Sequence, residues 1–415
     1  MAPRLSEAKR IEAENFETAK TYFLHSLENL NDPRRRQGLR YPISLVVMSA
    51  LCAVVAGADD AQAMEDFAAA REDFFREFLP MPHGTPSQDV YLSVFAALCP
   101  IEFERVFSTW VNWLHCAVPG ARCDSVPATP SAEYRHIAVD GKTNRASSTD
   151  KGVPLHALNA WLVESGVCIG QQSSDKKEGE IKAIPQLLRN LDLKGSVVTI
   201  DAIGCQHAIA DQVVKQGGDY VLQVKANQKT LLYDCTTLFA AADKGVSLPE
   251  NNSQDMPHSE SFQKVEKDHG RIETRSVSVC HDKRWLNENS KFTTVQSFIR
   301  VERKREVVKT GKASHEVSYY VSSIPKLSAA QASRIVREHW SIENSLHWVL
   351  DVAFNEDRAT HRAGNCAANF SVVRKWALNL LKMDTSKKCG IKNRRKIAGW
   401  DTGYLRLLLA KQRRN

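Results

Sequence analysis

The sequence predicts an α/β protein, in which an N-terminal all-helical domain precedes a mixed β-sheet that carries a β-rich insertion. Apolar residues recur at helical spacing over residues 8–115. From residue 136 onwards, short apolar runs typical of strands alternate with helical segments. Within residues 272–323 the strand-like runs follow one another without a helix between them. The alternation predicts a mixed sheet with helices, and the uninterrupted runs predict a β insertion.

The elements predicted between residues 136 and 225 follow the order strand, strand, strand, helix, strand, helix, strand. They are strand 136–140, a hairpin over 155–173 that turns near 164–166, helix 181–191, strand 196–201, helix 206–215 and strand 220–225. After the β-rich runs a long helix begins at Ser328 and extends to Asp351. Ser328 and Gln331 have the spacing of a capping box, which predicts the start of this helix.

Breaker residues divide the chain into five predicted regions. A proline- and glycine-rich linker over residues 117–134 separates the helices from the sheet. The regions are an N-terminal helical domain (1–120), the first part of the mixed-sheet core (134–227), the β-rich insertion (228–326), the second part of the core (327–383) and a basic C-terminal tail (384–415).

Charge is concentrated at the C-terminal end of the sequence. The chain has 415 residues and a formal net charge of +8, and residues 382–415 contain eleven Lys and Arg against two Asp. The rest of the chain is therefore nearly neutral, and the basic end predicts an anionic partner.

No segment predicts secretion or a membrane span. The first sixteen residues are charged and lack an apolar core, which argues against a signal peptide. The longest uncharged apolar run, Ile43–Ala58, has sixteen residues, whereas a spanning helix needs about 20, so we expect a buried core helix. The ten cysteines contain no CxxC pair, which is typical of reduced thiols in a cytoplasmic protein.

Three carboxylates stand at positions that favour catalysis. Asp140 and Asp201 each end a predicted strand, and Glu343 lies within the late helix. Side chains at the carboxyl ends of parallel strands meet at one edge of a sheet, and a helix packed beside it supplies the third acid. An all-oxygen site suits two Mg²⁺ (or Mn²⁺) ions in phosphoryl transfer.

A zinc site on the same helix remains an alternative. The side chains of His339, Glu343, His347 and Asp351 recur every four residues and form one stripe on an α-helix. Neither an HExxH spacing nor a cysteine partner supports zinc.

The combination of strand order and carboxylate positions resembles the ribonuclease H-like nucleotidyltransferases. More specifically, the chain resembles insertion-sequence DDE transposases of the ISAs group, which includes the H-repeat-associated proteins. The matching stretches are IAVDGKTNR (137–145), VVTIDAIGCQHAIA (197–210), GGDYVLQVKANQKTL (217–231), DHGRIETR (268–275), REHWSIENSLHWVLDVAFNED (337–357) and RAGNCAANFSVVRKWALNLLK (362–382).

This resemblance implies that residues 1–120 are an accessory and DNA-binding domain and that residues 134–227 and 327–383 form the catalytic core. It also implies a catalytic and metal-binding triad of Asp140, Asp201 and Glu343. It implies Mg-dependent hydrolysis of a phosphodiester at the element ends, followed by transfer of the 3′-OH strand into target DNA. The partners implied are double-stranded DNA and further copies of the chain, in a homodimer or higher complex on the bacterial nucleoid, with no small-molecule substrate.

Basic residues in the core, the β insertion and the last helices are the predicted DNA contacts. They are Lys142, Lys225, Arg271, Arg337, His339 and Arg362. Two other functions remain open: a catalytically silent DNA-binding regulator derived from a transposase, and a metal-dependent nuclease of the same fold.

Overall fold

The computed structural model describes residues 7–28, 30–34, 39–116, 134–147, 154–174, 179–246, 256–268 and 270–410. The chain forms two compact units. The first unit comprises Met1–Ser131, Gly141–Leu191 and Ile342–Asn415, and the second comprises Ala132–Asp140 and Asp192–Ser341. Each unit is therefore assembled from segments that are far apart in the sequence. The predicted linker lies outside the described residues apart from Tyr134.

Helices make up most of the first unit. They are α1 (Glu7–Glu28), α2 (Ile43–Val55), α3 (Ala61–Ala70), α4 (Glu72–Arg76), α5 (Gln88–Ala97), α6 (Pro100–Cys116), α7 (Glu180–Arg189), α11 (Trp348–Phe354), α12 (Cys366–Met383), α13 (Ile391–Trp400) and α14 (Thr402–Leu409). A π-helical turn, Glu343–His347, directly precedes α11.

Two apolar helices form the core of the first unit. Helix α2 is buried along almost its whole length, which confirms the prediction of a core helix from its uncharged run. It packs against α12, in which Trp376 is fully buried. Edge-to-face aromatic contacts surround the Trp376 ring, from Phe23, Phe103, Phe107 and Trp110 at centroid distances of 5.2–6.0 Å.

The strands of the first unit lie in the order β3-β2-β1. They are β1 (Arg135–Asn144), whose second half belongs to this unit, β2 (Leu155–Leu162) and β3 (Val167–Ser174). Strands β2 and β3 form the predicted antiparallel hairpin. Gly166 supplies the positive φ of +64° that its turn requires.

The second unit contains a sheet in the order β1-β4-β5-β9-β8-β7-β6. Its remaining strands are β4 (Ser196–Ile200), β5 (Asp219–Val224), β6 (Ser259–Asp268), β7 (Arg271–Cys280), β8 (Ser297–Val307) and β9 (Ala313–Ser322). Strands β1, β4 and β5 are parallel, and the pairs from β5 to β6 are antiparallel. Strand β1 is common to both units, because Asp140 and Gly141 lie on either side of the boundary.

Helix α10 (Ala329–His339) covers one face of this sheet. Its residues Ala332, Ile335 and Val336 belong to a buried cluster with valines and isoleucine of β4, β5, β7 and β8. The predicted capping box is present. The backbone amide of Gln331 donates to Ser328 Oγ at 3.2 Å, and the backbone amide of Ser328 donates to Gln331 Oε1 at 3.0 Å. The other helices of the unit are α8 (His207–Lys215) and α9 (Lys229–Lys244).

Several elements differ from the prediction. The β-rich insertion begins with helix α9, whose buried Leu231, Cys235 and Leu238 follow helical spacing. Strand β6 was not predicted, since it is an exposed edge strand with few apolar residues. The region predicted as a basic tail contains α13 and α14, because apolar residues between the charges pack into the first unit. Lys411, Arg413 and Arg414 lie outside the described residues.

Among the described residues, no helix combines the length and apolarity needed to span a membrane.

Candidate active site

Two strands of the second unit place the predicted aspartates in neighbouring positions. Strands β1 and β4 are parallel, and their register pairs Val139 with Ile200. Asp140 and Asp201 are the next residues of the two strands. Asp201 is exposed and directly follows β4, as predicted. Strand β1, in contrast, does not end at Asp140 but continues to Asn144. In the sheet, β1 is the neighbour of β2. The arrangement puts two carboxylates at one edge of the parallel part of the sheet.

Side chains that follow β5 brace the loop after Asp201. The Asp201 carboxylate accepts a hydrogen bond from the Ile203 amide at 3.2 Å and so caps a short 3-10 turn. The Asn227 side chain donates to the Ala202 carbonyl at 2.7 Å, and Gln228 donates to the Cys205 carbonyl at 2.8 Å. Asn227 and Gln228 were not among the predicted site residues, although they follow the end of β5 closely, as Asp201 follows β4.

Gly141, the residue after the first aspartate, lies against a buried polar pair. The imidazole of His156 contacts the Glu180 carboxylate, and both side chains are almost fully buried. A Cβ atom at Gly141 would lie 2.5 Å from His156 Nε2 and 2.7 Å from Glu180 Oε1. Glycine is therefore required for close packing at this position.

Glu343 lies on the π-helical turn of the first unit. The Trp348 amide donates to the Glu343 carbonyl five residues earlier, which widens the turn. The Glu343 side chain is 55% exposed, and its Oε2 is 2.9 Å from Nδ1 of the buried His347. The hydrogen bond from His347 lowers the pKa of Glu343, partial burial opposes this change, and the positive charge of Lys142 adds to it. The carboxylate is therefore both ionised and accessible at neutral pH.

His339 contacts a strand of its own unit. Its Nδ1 is 2.8 Å from Thr199 Oγ1, and Thr199 in turn is 2.9 Å from Nε2 of the buried His136. His136 Nδ1 is 3.5 Å from Glu338. These contacts hold the end of α10 against β1 and β4. On both strands, the residues in contact lie before the aspartate.

Lys142 does not have the surface position that we expected of a DNA contact. Its side chain is 6% exposed, and its ammonium group pairs with Asp351 at 2.7 Å, Asp357 at 2.9 Å and Glu356 at 3.5 Å. The strand β1 carries Lys142 inward, since side chains alternate between the two faces of a strand. Its charge is already compensated by protein carboxylates, which does not favour a contact with phosphate.

The other predicted DNA contacts are more accessible. Lys225, Arg271 and Arg362 are exposed, and Arg362 Nε donates to the Ala146 carbonyl at 3.4 Å. Arg337 is half exposed and pairs with Glu266 at 2.5 Å. A surface ion pair of this kind contributes little to stability, so Arg337 can exchange Glu266 for another anion.

The donor types fit a hard cation better than zinc. Asp140, Asp201 and Glu343 offer carboxylate oxygens, the ligands that Mg²⁺ and Mn²⁺ prefer. The predicted zinc stripe is occupied by other contacts in each unit: His339 contacts Thr199, and Asp351 pairs with Lys142. Two members of this stripe therefore already have protein partners within their own units.

Comparisons with known proteins identify the family. The family model described as "Transposase DDE domain" matches residues 131–380, and the model described as "DDE_Tnp_1-associated" matches residues 24–111. Two relatives from Escherichia coli are each 34% identical to this chain: the "H repeat-associated putative transposase YhhI" of strain K12 and the "Putative transposase YncI" of O157:H7. The alignments cover 91% of this chain and 95% and 92% of the relatives.

A solved structure of a piggyBac transposase synaptic complex with hairpin DNA is also similar. It shares 10% identity at a TM-score of 0.38, covering 95% of this chain and 78% of that chain. The matches to the family model and to the Escherichia coli relatives extend over most of the sequence, including both strands with aspartates and the segment with Glu343. The chain therefore belongs to the DDE transposase family.

Proposed function

We propose that this transposase hydrolyses a phosphodiester bond at each end of its element and transfers the resulting 3′-OH strand into target DNA. In this proposal Asp140, Asp201 and Glu343 are the catalytic acids and hold two Mg²⁺ (or Mn²⁺) ions. The observation that carries it is the parallel register of β1 and β4, which sets the two aspartates in neighbouring positions.

Strand order supports a ribonuclease H-like catalytic core. The strands run β3-β2-β1 in the first unit and β1-β4-β5 in the second, with β2 and β3 antiparallel and β1, β4 and β5 parallel. Chain connectivity supports the third acid: Glu343 follows His339 by four residues, and His339 is held on β4, the strand that Asp201 follows. The β strands from β6 to β9 then form the insertion between the second aspartate and the glutamate.

Divalent ions in such a site would activate the attacking oxygen and stabilise negative charge on the phosphate. The residues of this chain would place the scissile phosphate and the attacking hydroxyl. Asp201, braced by the loop contacts after β4, and Glu343, held by His347, would keep their carboxylates oriented before DNA binds. No protein side chain forms a covalent bond with DNA in this scheme.

The DNA contacts in the proposal are Lys225, Arg271, Arg337, His339 and Arg362. Cationic side chains at a phosphate backbone release counterions, so binding would weaken as salt increases. The N-terminal helices and the basic α13 region would contribute to binding of the inverted ends. We further propose that a homodimer or higher complex acts on DNA of the nucleoid in the cytoplasm.

A strand-transfer assay tests the proposal. The protein is incubated with end-containing DNA, Mg²⁺ and a target plasmid, and joined products are measured. Joined product supports transposition, whereas cleavage without joining supports the nuclease alternative, and DNA retention in a gel shift without cleavage supports the silent regulator.

Asp201→Asn supplies the test of the site. It should abolish cleavage and joining while leaving DNA retention intact, because it removes one charge from the site and preserves its shape. Asp73→Asn, at an exposed position of α4, serves as the matched control and should act like the wild type. Cleavage by Asp201→Asn at the wild-type rate would remove this triad from the mechanism.

A further inference from the structure

We propose that His347 and Asn159 are positioning residues for Glu343, with Asn159 fixing the tautomer in which His347 donates a hydrogen bond to the Glu343 carboxylate. The inference rests on the proposed function, in which Glu343 binds metal. It adds two residues to the site that act through the glutamate and do not touch the substrate.

The three side chains form a chain from the interior of the first unit to its surface. Asn159 in β2 is fully buried, and its Nδ2 is 3.3 Å from His347 Nε2. His347 is 4% exposed, and its Nδ1 is 2.9 Å from Glu343 Oε2. The carboxylate at the end of the chain is the exposed member. The buried side chains of Asn159 and His347 thus hold the accessible carboxylate of Glu343 on its protein side.

The contacts of Asn159 determine the tautomer of His347. The Asn159 Nδ2 group also donates to the Ala157 carbonyl at 3.1 Å. The reverse orientation of this amide would set its oxygen against that carbonyl, with two acceptors facing each other. An amide nitrogen donates and does not accept, so His347 Nε2 must be the acceptor. The imidazole proton therefore lies on Nδ1, where it points at Glu343.

The hydrogen bond restricts Glu343 to one orientation. An exposed glutamate samples several rotamers, and ordering its side chain on metal binding costs free energy. Because Oε2 is held by His347, the carboxylate is oriented before an ion binds. The pair occupies the first and last residues of the π turn, so both side chains are carried by one rigid segment. Mutation of a residue that hydrogen-bonds to a metal ligand typically lowers metal affinity or activity by about 10–100-fold.

Nitrogen NMR of the protein with ¹⁵N-labelled histidine tests the tautomer independently of activity. We expect the His347 resonances to show a protonated Nδ1 and an unprotonated Nε2, and Asn159→Leu to release this preference. A dominant Nε2–H tautomer in the wild type would overturn the inference. Loss of the Nδ1 proton on addition of Mg²⁺ would also overturn it, because His347 would then be a ligand itself.

Mn²⁺ binding, followed by calorimetry, tests the consequence. His347→Leu should weaken binding by about 10–100-fold. His347→Asn places an amide nitrogen near the position of Nδ1 and should recover most of the loss. Thermal melting and DNA retention of both variants report on folding. If His347→Leu does not fold, the Mn²⁺ affinities of His347→Asn and His347→Gln are compared instead. Gln places its nitrogen near Nε2, so equal Mn²⁺ affinity of these two variants would overturn the inference.

These experiments separate the inference from the proposed function. A wild-type protein that binds no Mn²⁺ would refute the metal site, while the NMR result would still judge the tautomer. Wild-type Mn²⁺ affinity in both His347→Leu and His347→Gln, together with loss of binding in Asp201→Asn, would refute the role of His347 and leave the metal site standing.

Discussion

Glu356 is a fully buried acid whose charge is balanced by three cations of the first unit. Its carboxylate lies 3.5 Å from Lys142 Nζ and accepts a hydrogen bond from Ser371 Oγ at 2.8 Å. Lys375 donates to the same Ser371 hydroxyl at 2.6 Å. Burial raises the pKa of Glu356, but the charges of Lys375, Lys142 and Arg374 outweigh this effect and hold the pKa at about 2.

We predict that Glu356→Gln lowers the free energy of unfolding by about 3–5 kcal/mol at pH 7. Removing one partner leaves buried cations without compensation, and changes of this kind typically cost about 3–5 kcal/mol. The pKa gives a similar value, because the gap between the usual 4.5 and about 2 corresponds to about 3 kcal/mol at neutral pH. Urea denaturation followed by tryptophan fluorescence measures the change.

Two comparisons check the reasoning. Glu28→Gln removes a surface pair with His25 and should cost less than about 1 kcal/mol. The pKa of Glu356 is lower in the folded than in the unfolded protein, so its stabilisation is present above pH 4.5 and is lost as the pH falls towards 2. The difference between wild type and Glu356→Gln should therefore shrink below pH 4.5. Equal losses of stability in Glu356→Gln and Glu28→Gln would refute the account. A stability difference between wild type and Glu356→Gln that does not depend on pH would also refute it.

Three further predictions concern other residues. Gly141→Ala should lower stability by about 1–3 kcal/mol and abolish cleavage, because the new methyl group would overlap His156; activity at the wild-type level would contradict this packing. Burial lowers the pKa of His361 to about 4, so stability should fall by up to about 3 kcal/mol between pH 6.5 and 4, and thermal melts of His361→Gln should lack this decrease. Lys225→Gln and Arg362→Gln should each reduce the salt dependence of DNA retention by about one counterion with unchanged melting temperature, and an unaltered salt slope would exclude these contacts.

Local patterns in the sequence predicted the elements that carry the aspartates. The apolar run before Asp201 and the residues that follow it predicted β4 and its end, and the spacing of Ser328 and Gln331 predicted the start of α10. The buried helix α2 followed from an uncharged run that is too short for a membrane. In these cases the decisive interactions lie within one element.

Contacts between distant residues were not predictable in this way. Asn159 and His347 are 188 positions apart, and Lys142 and Asp357 are 215 positions apart. Only the fold brings them together, so the carboxylates around Lys142 could not be predicted from its charge and its place after Asp140. The π turn at Glu343 was also not predicted, because it is one short turn of five residues within a segment that otherwise has a helical pattern.

The division of the chain into interleaved segments determines the order in which the units complete during translation. The second unit has all of its residues once Ser341 has left the ribosome, whereas the first still lacks Ile342–Asn415. That last segment carries α12 and Trp376, which fill the core around α2. A polypeptide terminated early would leave the apolar surface of α2 uncovered and become a substrate for chaperones and proteases.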